Sequence, residues 1–420
     1  MVDMKKFVRE RALEARNAAR ELGRSGSNLK NDALLSMARG IRASADGLKK
    51  ENGKDIEFAR EKGLTDAMID RLRLTDQRIE DMALGLEQVA ALPDPVGEIS
   101  DMRERPNGMR VGRMRVPIGV IAIIYESRPN VTADATALCL KSGNAVLLRG
   151  GSEAINSNRA IVEILRSSIK AAGLPEGVVT FLDTPDRQAV QEMLKLEGLV
   201  DLVIPRGGEG LIRAVTENSR IPVLKHYKGV CHLFVDRDAD LEMALRIAVN
   251  AKCQRPGTCN AMETLLVDSP VAGEFLPGAV KALRDAGVRE FKGDAKARAL
   301  VKDMAEATEE DYHTEYTDLI MNVKVVDGID EAMDHIAEFA SGHTESIITG
   351  DYARAMRFIR EVDSSSVMVN ASTRFADGFE YGLGAEIGIA TDKIHARGPM
   401  GLEELTCRKF IVLGSGQTRG

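Results

Sequence analysis

The feature that most constrains the fold is a repeated exchange of short apolar runs and helical stretches in the middle of the chain. Four runs have the pattern of strands: residues 119–124, 145–148, 178–182 and 199–204. Helical patterns separate them, most clearly over residues 156–172. Strands that alternate with helices in this way form parallel sheets with right-handed crossovers. The sequence therefore predicts an α/β fold with a doubly wound, Rossmann-type nucleotide-binding domain.

A second α/β run begins near residue 230. Residues 231–235 and 261–267 have strand patterns, and residues 241–252 between them have a helical one. The stretch 370–400 lacks long apolar runs but carries several glycines, which indicates an ordered functional loop region. A hairpin is predicted over residues 101–116, and residues 405–413 form a last strand.

The first hundred residues are predicted to be helical. Apolar residues recur there at steps of three and four, and a turn over residues 23–27 separates two stripes. The stripes are Val8, Ala12, Ala15, Ala19 and Leu22, and then Leu34, Ala38, Ile41, Ala45 and Leu48.

Composition excludes several classes of function. The 57 basic and 64 acidic residues give a net charge of −7, and aromatic residues make up only 4%, with no Trp. Neither a basic stripe nor an aromatic platform for nucleic acid is present. No apolar run is long enough for a membrane span, and the N-terminus is not a secretory signal. Five scattered cysteines argue against a disulfide framework. We therefore expect a cytoplasmic enzyme.

The most suggestive chemical group is the thiol of Cys259. It follows the turn residues Pro256 and Gly257, at the junction of a predicted helix and strand, where a side chain can face a cleft. A cysteine attacks as its thiolate, and Arg255 could supply a favourable charge. The alternative is a small buried side chain, the commoner fate of cysteine. That alternative is favoured for the other four: Cys139, Cys231, Cys253 and Cys407.

Two glycine clusters, at residues 150–151 and 207–210, follow predicted strands. Such glycines let backbone N–H groups approach a phosphate, but neither cluster is the full dinucleotide fingerprint, and for each cluster alone a tight turn is the favoured interpretation. The six histidines lack metal-ligand spacing, so no metal site is predicted. His343 is expected at the surface or in contact with substrate.

Several segments together resemble the aldehyde dehydrogenase superfamily, and within it the branch that reduces an acyl phosphate of glutamate. The segments are residues 125–131 (Tyr-Glu-Ser-Arg-Pro-Asn-Val), 147–154, 254–260 (Gln-Arg-Pro-Gly-Thr-Cys-Asn), 314–319, 335–347 and 394–402. The likeness covers essentially the whole chain. Phe339 and Ala340 depart from the usual pattern, at positions away from Cys259.

The resemblance implies NADPH-dependent reduction of L-glutamyl 5-phosphate to L-glutamate 5-semialdehyde and phosphate, the second step of L-proline biosynthesis from glutamate. Cys259 would form a thioester with the substrate, and hydride would reduce it. Oxidising members carry a Glu that activates water against the thioester. The matching segment here, residues 224–229, has His226 in that place, as a reductase requires.

The resemblance also implies binding residues. Residues expected to contact NADPH are Arg149, Gly150, Ser152, Gly207, Gly208, Glu209 and Glu315. Ser152 stands where relatives that prefer NAD often have Glu, and with Arg149 it favours NADPH over NADH. Candidates for contact with substrate are Ser127, Arg128 and Asn130, and four residues that are selected only because they lie in the glycine-containing stretch 370–400: Asn370, Arg374, His395 and Arg397.

The implied architecture has a cofactor domain (residues 1–100 and 117–228), a catalytic domain (229–370), and an oligomerisation arm with the C-terminal segment (101–116 and 371–420). A homodimer or homotetramer is expected. A separate glutamate 5-kinase must supply the acyl phosphate, with possible functional coupling between the two enzymes. Two rival hypotheses stay open: a CoA-acylating aldehyde dehydrogenase, and an inactive homologue that serves as a scaffold.

Overall fold

A computed structural model of the chain describes residues 3–419, except for the side chain of Ala67. The helices are α1 (Met4–Leu22), α2 (Ser27–Ala43), α3 (Ala45–Glu61), α4 (Asp66–Leu72), α5 (Asp76–Ala91), α6 (Asn130–Lys141), α7 (Ile155–Ala171), α8 (Gln188–Met193), α9 (Glu209–Asn218), α10 (Leu241–Cys253), α11 (Ser269–Asp285), α12 (Ala295–Leu300), α13 (Glu309–Tyr312), α14 (Ile329–Phe339) and α15 (Tyr352–Glu361). Short 3₁₀ turns cover Ser152–Ala154, Glu176–Val178 and Thr373–Phe375.

The strands are β1 (Ile99–Glu104), β2 (Arg110–Pro117), β3 (Val120–Tyr125), β4 (Ala145–Gly150), β5 (Val179–Phe181), β6 (Leu202–Arg206), β7 (Cys231–Val235), β8 (Met262–Asp268), β9 (Glu290–Gly293), β10 (Ala305–Glu306), β11 (Ile320–Val326), β12 (Thr344–Ile348), β13 (Ser366–Val369), β14 (Ile389–Ala390), β15 (Gly398–Pro399) and β16 (Thr406–Leu413). The chain divides into two compact units.

The first unit contains the described residues up to Lys225, together with Gly382–Gly388 and the chain from Met400 onward. Its parallel sheet has the strand order β5–β4–β3–β6. Strand β3 is buried along its whole length, as expected for a central strand covered by helices on both faces. An antiparallel sheet in the order β1–β2–β16 also belongs to this unit.

The second unit contains His226–Tyr381 and Ile389–Pro399. Its sheet runs in the order β10–β9–β11–β8–β7–β12–β13, and every neighbouring pair in it is parallel. Strands β7 and β8 lie side by side at the centre, and every residue of both is buried. Side chains of β7, β8, α10 and α11 form the main core cluster of this unit.

The predicted α/β elements are confirmed with boundaries within a few residues. The hairpin, the parallel sheets and the final strand all form, and the stripes of α1 and α2 are buried. One detail of the helical region is wrong. The second stripe does not lie on a single helix, because α2 ends at Ala43 and α3 begins at Ala45. Ser44 between them has φ −103° and ψ 11°, which is not helical, and Ala45 is only half-buried.

Candidate active site

Cys259 lies in the turn between α10 and β8, residues 254–261, called the Cys259 turn below. Helix α10 ends at Cys253, three residues before Pro256, which cannot continue a helix. Thr258 closes the turn, since its hydroxyl donates to the carbonyl oxygen of Arg255 at 2.8 Å. The side chain of Cys259 is half-buried. The sequence prediction of a thiol at a helix–strand junction is therefore confirmed.

A fully buried ion pair joins the two ends of the Cys259 turn. Lys252, in the last turn of α10, places Nζ 2.7 Å from Oε2 of Glu263 in β8. Burial raises the pKa of the Glu263 carboxyl to about 7, although the Lys252 ammonium opposes the rise. Removing one member of such a pair costs about 3–5 kcal/mol, because the other charge stays buried alone. The pair therefore fixes where the turn starts and ends.

The segment before β7 packs directly against Cys259. A Cβ atom built on Gly229 would lie 1.9 Å from the carbonyl oxygen of Cys259 and 2.5 Å from its Cα. Cys231, the first residue of β7, donates its thiol hydrogen to the same carbonyl oxygen at 3.2 Å. Burial raises the pKa of the Cys231 thiol well above its ordinary value, so this thiol acts as a neutral donor. Only glycine at position 229 permits this approach.

A second loop is fastened to the Cys259 turn through amide groups. Nδ2 of Asn260 donates to the carbonyl oxygen of Ala376 at 3.0 Å. In the opposite direction, Arg374 donates from Nε to Oε1 of Gln254 at 2.9 Å and from Nη1 to Oδ1 of Asn260. Arg374 is therefore held beside the thiol by neutral groups. Within residues 3–419 it has no carboxylate within ion-pair distance.

The prediction that His343 lies at the surface or contacts substrate is wrong. His343 has no exposed surface, and its Nδ1 lies 2.8 Å from Oγ1 of Thr344 and 3.8 Å from Sγ of Cys231. Burial, and to a smaller extent His226, lowers the pKa of His343 to about 3. The position directly before the buried strand β12 explains the difference, because that strand draws His343 into the core.

His226 is half-buried and lies near this cluster. Its ring is 5.8 Å from the His343 ring, edge to face, and its Nδ1 is 2.9 Å from the carbonyl oxygen of Ile389. A neutral His226 therefore carries its hydrogen on Nδ1 and leaves Nε2 as an acceptor. Glu315 is also half-buried and acts electrostatically on Cys231 and Glu263. Nowhere in residues 3–419 do three or more potential ligands gather to hold a metal ion.

The residues expected to contact NADPH through its adenosine half lie on the first unit, at the carboxyl end of β4. Arg149 donates from Nη2 to the carbonyl oxygen of Pro185 at 3.3 Å, while its buried Nε has no partner within residues 3–419. Burial lowers the pKa of Arg149, Glu153 opposes this, and Arg187 lowers it further. Two guanidinium groups therefore lie close together here. Ser152 is exposed and opens the short 3₁₀ turn that precedes α7.

The second glycine cluster follows strand β6, as predicted, and opens α9. The N–H of Gly208 donates to Oε2 of Glu126 at 3.0 Å. A Cβ on Gly207 would lie 2.5 Å from the same oxygen, and Glu209 is the first residue of the helix. A carboxylate thus occupies the position at which a phosphate oxygen would accept this N–H. That Gly207, Gly208 and Glu209 bind the cofactor stays a prediction.

The substrate candidates of the first unit lie in the loop after β3. Ser127 has φ 38°, and Glu153 holds this conformation by accepting the Ser127 N–H at 2.7 Å and its hydroxyl at 2.8 Å. Arg128 is exposed. Asn130 donates to Oδ2 of Asp134 at 2.9 Å, and burial raises the pKa of that carboxyl to about 6.

The candidates of the second unit serve partly as structural ties. The side-chain amide of Asn370 pairs with both the N–H and the carbonyl oxygen of Thr349, at 2.9 and 3.0 Å. Arg397 donates to Asp363 through its carboxylate and its carbonyl oxygen, both at 2.8 Å. His395 is exposed with φ 75°. Their contact with substrate stays a prediction, and these bonds weaken it for Asn370 and Arg397.

Sequence reasoning missed the groups that support Cys259. Gly229 acts through a contact between segments that are distant along the chain. Lys252 and Glu263 pair across the Cys259 turn. One signal was available. A lysine at the end of a helix and a glutamate inside an otherwise apolar strand are costly to bury unless they pair.

Comparison with known proteins agrees with this geometry. The sequence profile of the aldehyde dehydrogenase family matches residues 4–319. The chain is 60% identical over 418 residues to gamma-glutamyl phosphate reductase of Thermodesulfovibrio yellowstonii, covering 100% of both chains. It is 56% identical over 412 residues to that of Geobacter metallireducens, covering 98% of each. The crystal structure of gamma-glutamyl phosphate reductase from Thermotoga maritima superposes with a TM-score of 0.96 at 49% identity, covering 98% of this chain and 100% of that one.

The profile match, together with the two units and the cysteine at the helix–strand junction, makes this chain a member of the aldehyde dehydrogenase family. The identities over full length are more specific. The chain belongs to the gamma-glutamyl phosphate reductases within that family, which confirms the resemblance found in its motifs. No helix in residues 3–419 is long and apolar enough to cross a membrane.

Proposed function

We propose that this protein reduces L-glutamyl 5-phosphate to L-glutamate 5-semialdehyde with NADPH, releasing phosphate, through a thioester on Cys259. The observation that carries the proposal is the construction around the Cys259 turn. A half-buried thiol is supported by a fully buried ion pair and by a glycine packed against its backbone. The ion pair and the close glycine contact fix the backbone around the thiol, and a nucleophile requires such fixed positioning.

In the proposed reaction the Cys259 thiolate attacks the acyl carbon of the substrate. A C–S bond forms, the C–O bond to phosphate breaks, and phosphate leaves with the electron pair. Backbone N–H groups near Cys259 would stabilise the negative oxygen that develops. NADPH supplies the hydride that reduces the thioester. The resulting thiohemiacetal then releases the semialdehyde and restores the thiol.

His226 supports reduction over hydrolysis. It stands where oxidising members of the superfamily have the Glu that activates water, and the segment that carries it packs on Cys259 through Gly229. Nδ1 of His226 lies at hydrogen-bonding distance from a backbone carbonyl oxygen, which orients the ring. Without the carboxylate, the thioester lacks an efficient base for attack by water.

The preference for NADPH rests on the charges at the end of β4. Among residues 3–419 the buried Nε of Arg149 has no partner, Arg187 acts on Arg149 electrostatically, and the small side chain of Ser152 brings no negative charge. A 2′-phosphate fits two cations of this kind, because guanidinium N–H groups bind phosphate oxygens strongly. In the second unit, Glu315 is the proposed contact for the ribose next to the nicotinamide.

The proposal includes a homo-oligomer that pairs through the antiparallel sheet. Strand β16 pairs with β2 on one side only in the described chain, and it exposes 67% of Phe410, 53% of Val412 and 57% of Leu413. An apolar strand with an unpaired edge associates readily with a second copy. Sedimentation should therefore give a dimer or larger, and Val412→Lys should shift the distribution toward monomer. A monomeric wild-type protein would contradict this part.

A separate ATP-dependent glutamate 5-kinase is the proposed source of the acyl phosphate, with functional coupling between the two enzymes. Coupled flux should then depend on the concentration of the matched kinase. An unrelated kinase of equal activity should support a lower flux at each concentration, and equal flux with the two kinases would contradict coupling.

The reverse reaction tests the proposed activity. L-Glutamate 5-semialdehyde, NADP⁺ and phosphate are mixed with the protein, and NADPH absorbance is followed for the wild type and for Cys259→Ala. Formation of NADPH that needs phosphate and disappears in Cys259→Ala is expected. Turnover that needs CoA instead of phosphate would replace the proposal with the CoA-acylating hypothesis, and no turnover by a folded protein would favour the scaffold.

A further inference from the structure

Two arginines lie beside Cys259 without carboxylate partners. Arg374 is half-buried, and its guanidinium bonds only to the amide oxygens of Gln254 and Asn260. Arg255 is exposed in the Cys259 turn itself and has no side-chain ion pair. Neither arginine forms an ion pair with a carboxylate within residues 3–419. The positive charge of each is therefore not cancelled by a direct contact.

The two cations and the thiol are close enough to influence one another. Burial and Arg255 lower the pKa of Arg374, whereas Asp377 and the thiols of Cys259 and Cys231 oppose this change. Asp377 is the carboxylate that opposes the change, and its Oδ1 accepts the N–H of Phe379 at 2.9 Å. Holding two like charges together in a partly buried place is unfavourable unless an anion joins them.

The substrate carries its two anionic groups at opposite ends. Phosphate is bonded to the carbon that Cys259 attacks, whereas the α-carboxylate is at the far end of the glutamyl chain. A cation that interacts electrostatically with the Cys259 thiol therefore lies at the end of the substrate from which phosphate leaves. Guanidinium groups suit this task, since they donate two parallel hydrogen bonds to phosphate oxygens.

We propose that Arg374 and Arg255 form the subsite for the leaving phosphate. This inference rests on the proposed function and assigns Arg374 to the phosphate rather than to the α-carboxylate. As the C–O bond breaks, the electron pair moves onto the phosphate oxygen, and the two guanidinium groups stabilise the charge that develops there. In the reverse direction the same groups hold inorganic phosphate for attack on the thioester.

Protection of Cys259 from iodoacetamide tests the subsite without requiring turnover. The alkylation rate is measured at increasing concentrations of inorganic phosphate. In the wild type we expect a saturable decrease in rate. Arg255→Gln and Arg374→Gln should each raise the half-protecting phosphate concentration about tenfold or more, the loss expected for one charged hydrogen bond. Arg374→Lys should recover part of the protection.

The matched control is Arg246→Gln, an exposed position on α10 without a side-chain partner among the described residues. Phosphate should protect Cys259 in this variant as well as it does in the wild type. If phosphate protects Arg255→Gln and Arg374→Gln as well as the wild type, the subsite is wrong. Within residues 3–419 the Arg255 side chain bonds to no other side chain, so Arg255→Gln keeps the test valid if Arg374→Gln does not fold.

The reverse assay separates this inference from the proposed function. A KM for phosphate that rises in Arg255→Gln, with an unchanged KM for NADP⁺, supports both. Phosphate-dependent turnover with the same KM for phosphate in the variants overturns only the subsite. Saturable protection in a wild type that has no turnover overturns only the proposed function.

Discussion

Gly229 packs so closely against Cys259 that a Cβ atom would lie 1.9 Å from the Cys259 carbonyl oxygen. No side chain can enter that space, so any larger residue must displace the Cys259 turn or the segment before β7. The position of the thiol is therefore set by a residue thirty positions earlier in the chain. Gly229 does not have a positive φ, so glycine is needed at this position only for the close contact.

Gly229→Ala should lower kcat/KM at least about a hundredfold, because a displacement of about 1 Å at a reacting group can cost that much. It should also lower the free energy of unfolding by about 1–3 kcal/mol through overpacking. The control is Gly273→Ala on α11, where nothing lies within 4 Å of the added Cβ. There the stability should stay equal or rise slightly. Normal activity in Gly229→Ala would show that the contact is not needed.

Replacing His226 by Glu should create hydrolysis. A carboxylate at this position provides the base that attack by water requires, so NADPH formation in the absence of phosphate should rise about tenfold or more. The rate is measured with L-glutamate 5-semialdehyde and NADP⁺ alone. His226→Gln removes the imidazole without adding a base and should show no such rise. Equal phosphate-independent rates in the two variants would mean that a base at position 226 does not activate water against the thioester.

The Lys252–Glu263 pair predicts a pH-dependent loss of stability. Lys252→Met leaves the Glu263 carboxyl buried alone and should lower the free energy of unfolding by about 3–5 kcal/mol at pH 8. The raised pKa of Glu263 means that the folded protein binds a proton more tightly than the unfolded one. The loss should therefore be smaller at pH 5, where Glu263 becomes neutral, and grow as the pH rises.

Denaturant unfolding at the two pH values measures this effect. Adding Glu263→Gln to Lys252→Met removes the lone charge and should restore much of the stability at pH 8. A loss in Lys252→Met that is the same at pH 5 and pH 8 would contradict the assignment of a buried carboxylate.

His343 predicts acid sensitivity of the fold. Its pKa is lowered from 6.5 to about 3 by burial, so the unfolded chain binds a proton that the folded protein excludes within this window. Stability from this group is complete above pH 6.5 and is lost as the pH falls toward 3, by about 1.4 kcal/mol per pH unit. His343→Gln should show a shallower pH dependence by that amount. The difference at pH 8 gives the packing cost of the substitution, and parallel curves would contradict the buried neutral ring.

Much of the fold could be predicted from the sequence, because the spacing of apolar residues and the residues typical of turns are local signals. The strands around Cys259 and the helix before it were placed within a few residues. The resemblance to the family points to the same thiol and predicts which residues contact the cofactor. The turn pattern and the resemblance both point to Cys259, whereas a cysteine considered alone is more often a core residue.

The supporting contacts could not be predicted in the same way. The order β8–β7–β12 in the sheet determines which segments pack around Cys259. No local sequence pattern specifies that order. His343 illustrates this. Its neighbours Gly342 and Thr344 suggest an exposed loop, yet packing against Cys231 of β7 and against the His226 ring buries it completely. Arg374 was selected only by its region, and its bonds to Gln254 and Asn260 required the tertiary structure.

The most direct test of the thioester is the stoichiometry of a single turnover without phosphate. The protein is mixed rapidly with L-glutamate 5-semialdehyde and NADP⁺, NADPH absorbance is followed, and Cys259 is examined by peptide mass spectrometry. We predict a burst of one NADPH per active thiol, a glutamyl adduct on Cys259, and steady turnover only after phosphate is added. Steady NADPH formation without phosphate, or a burst with Cys259 unmodified, would contradict acyl transfer through this residue.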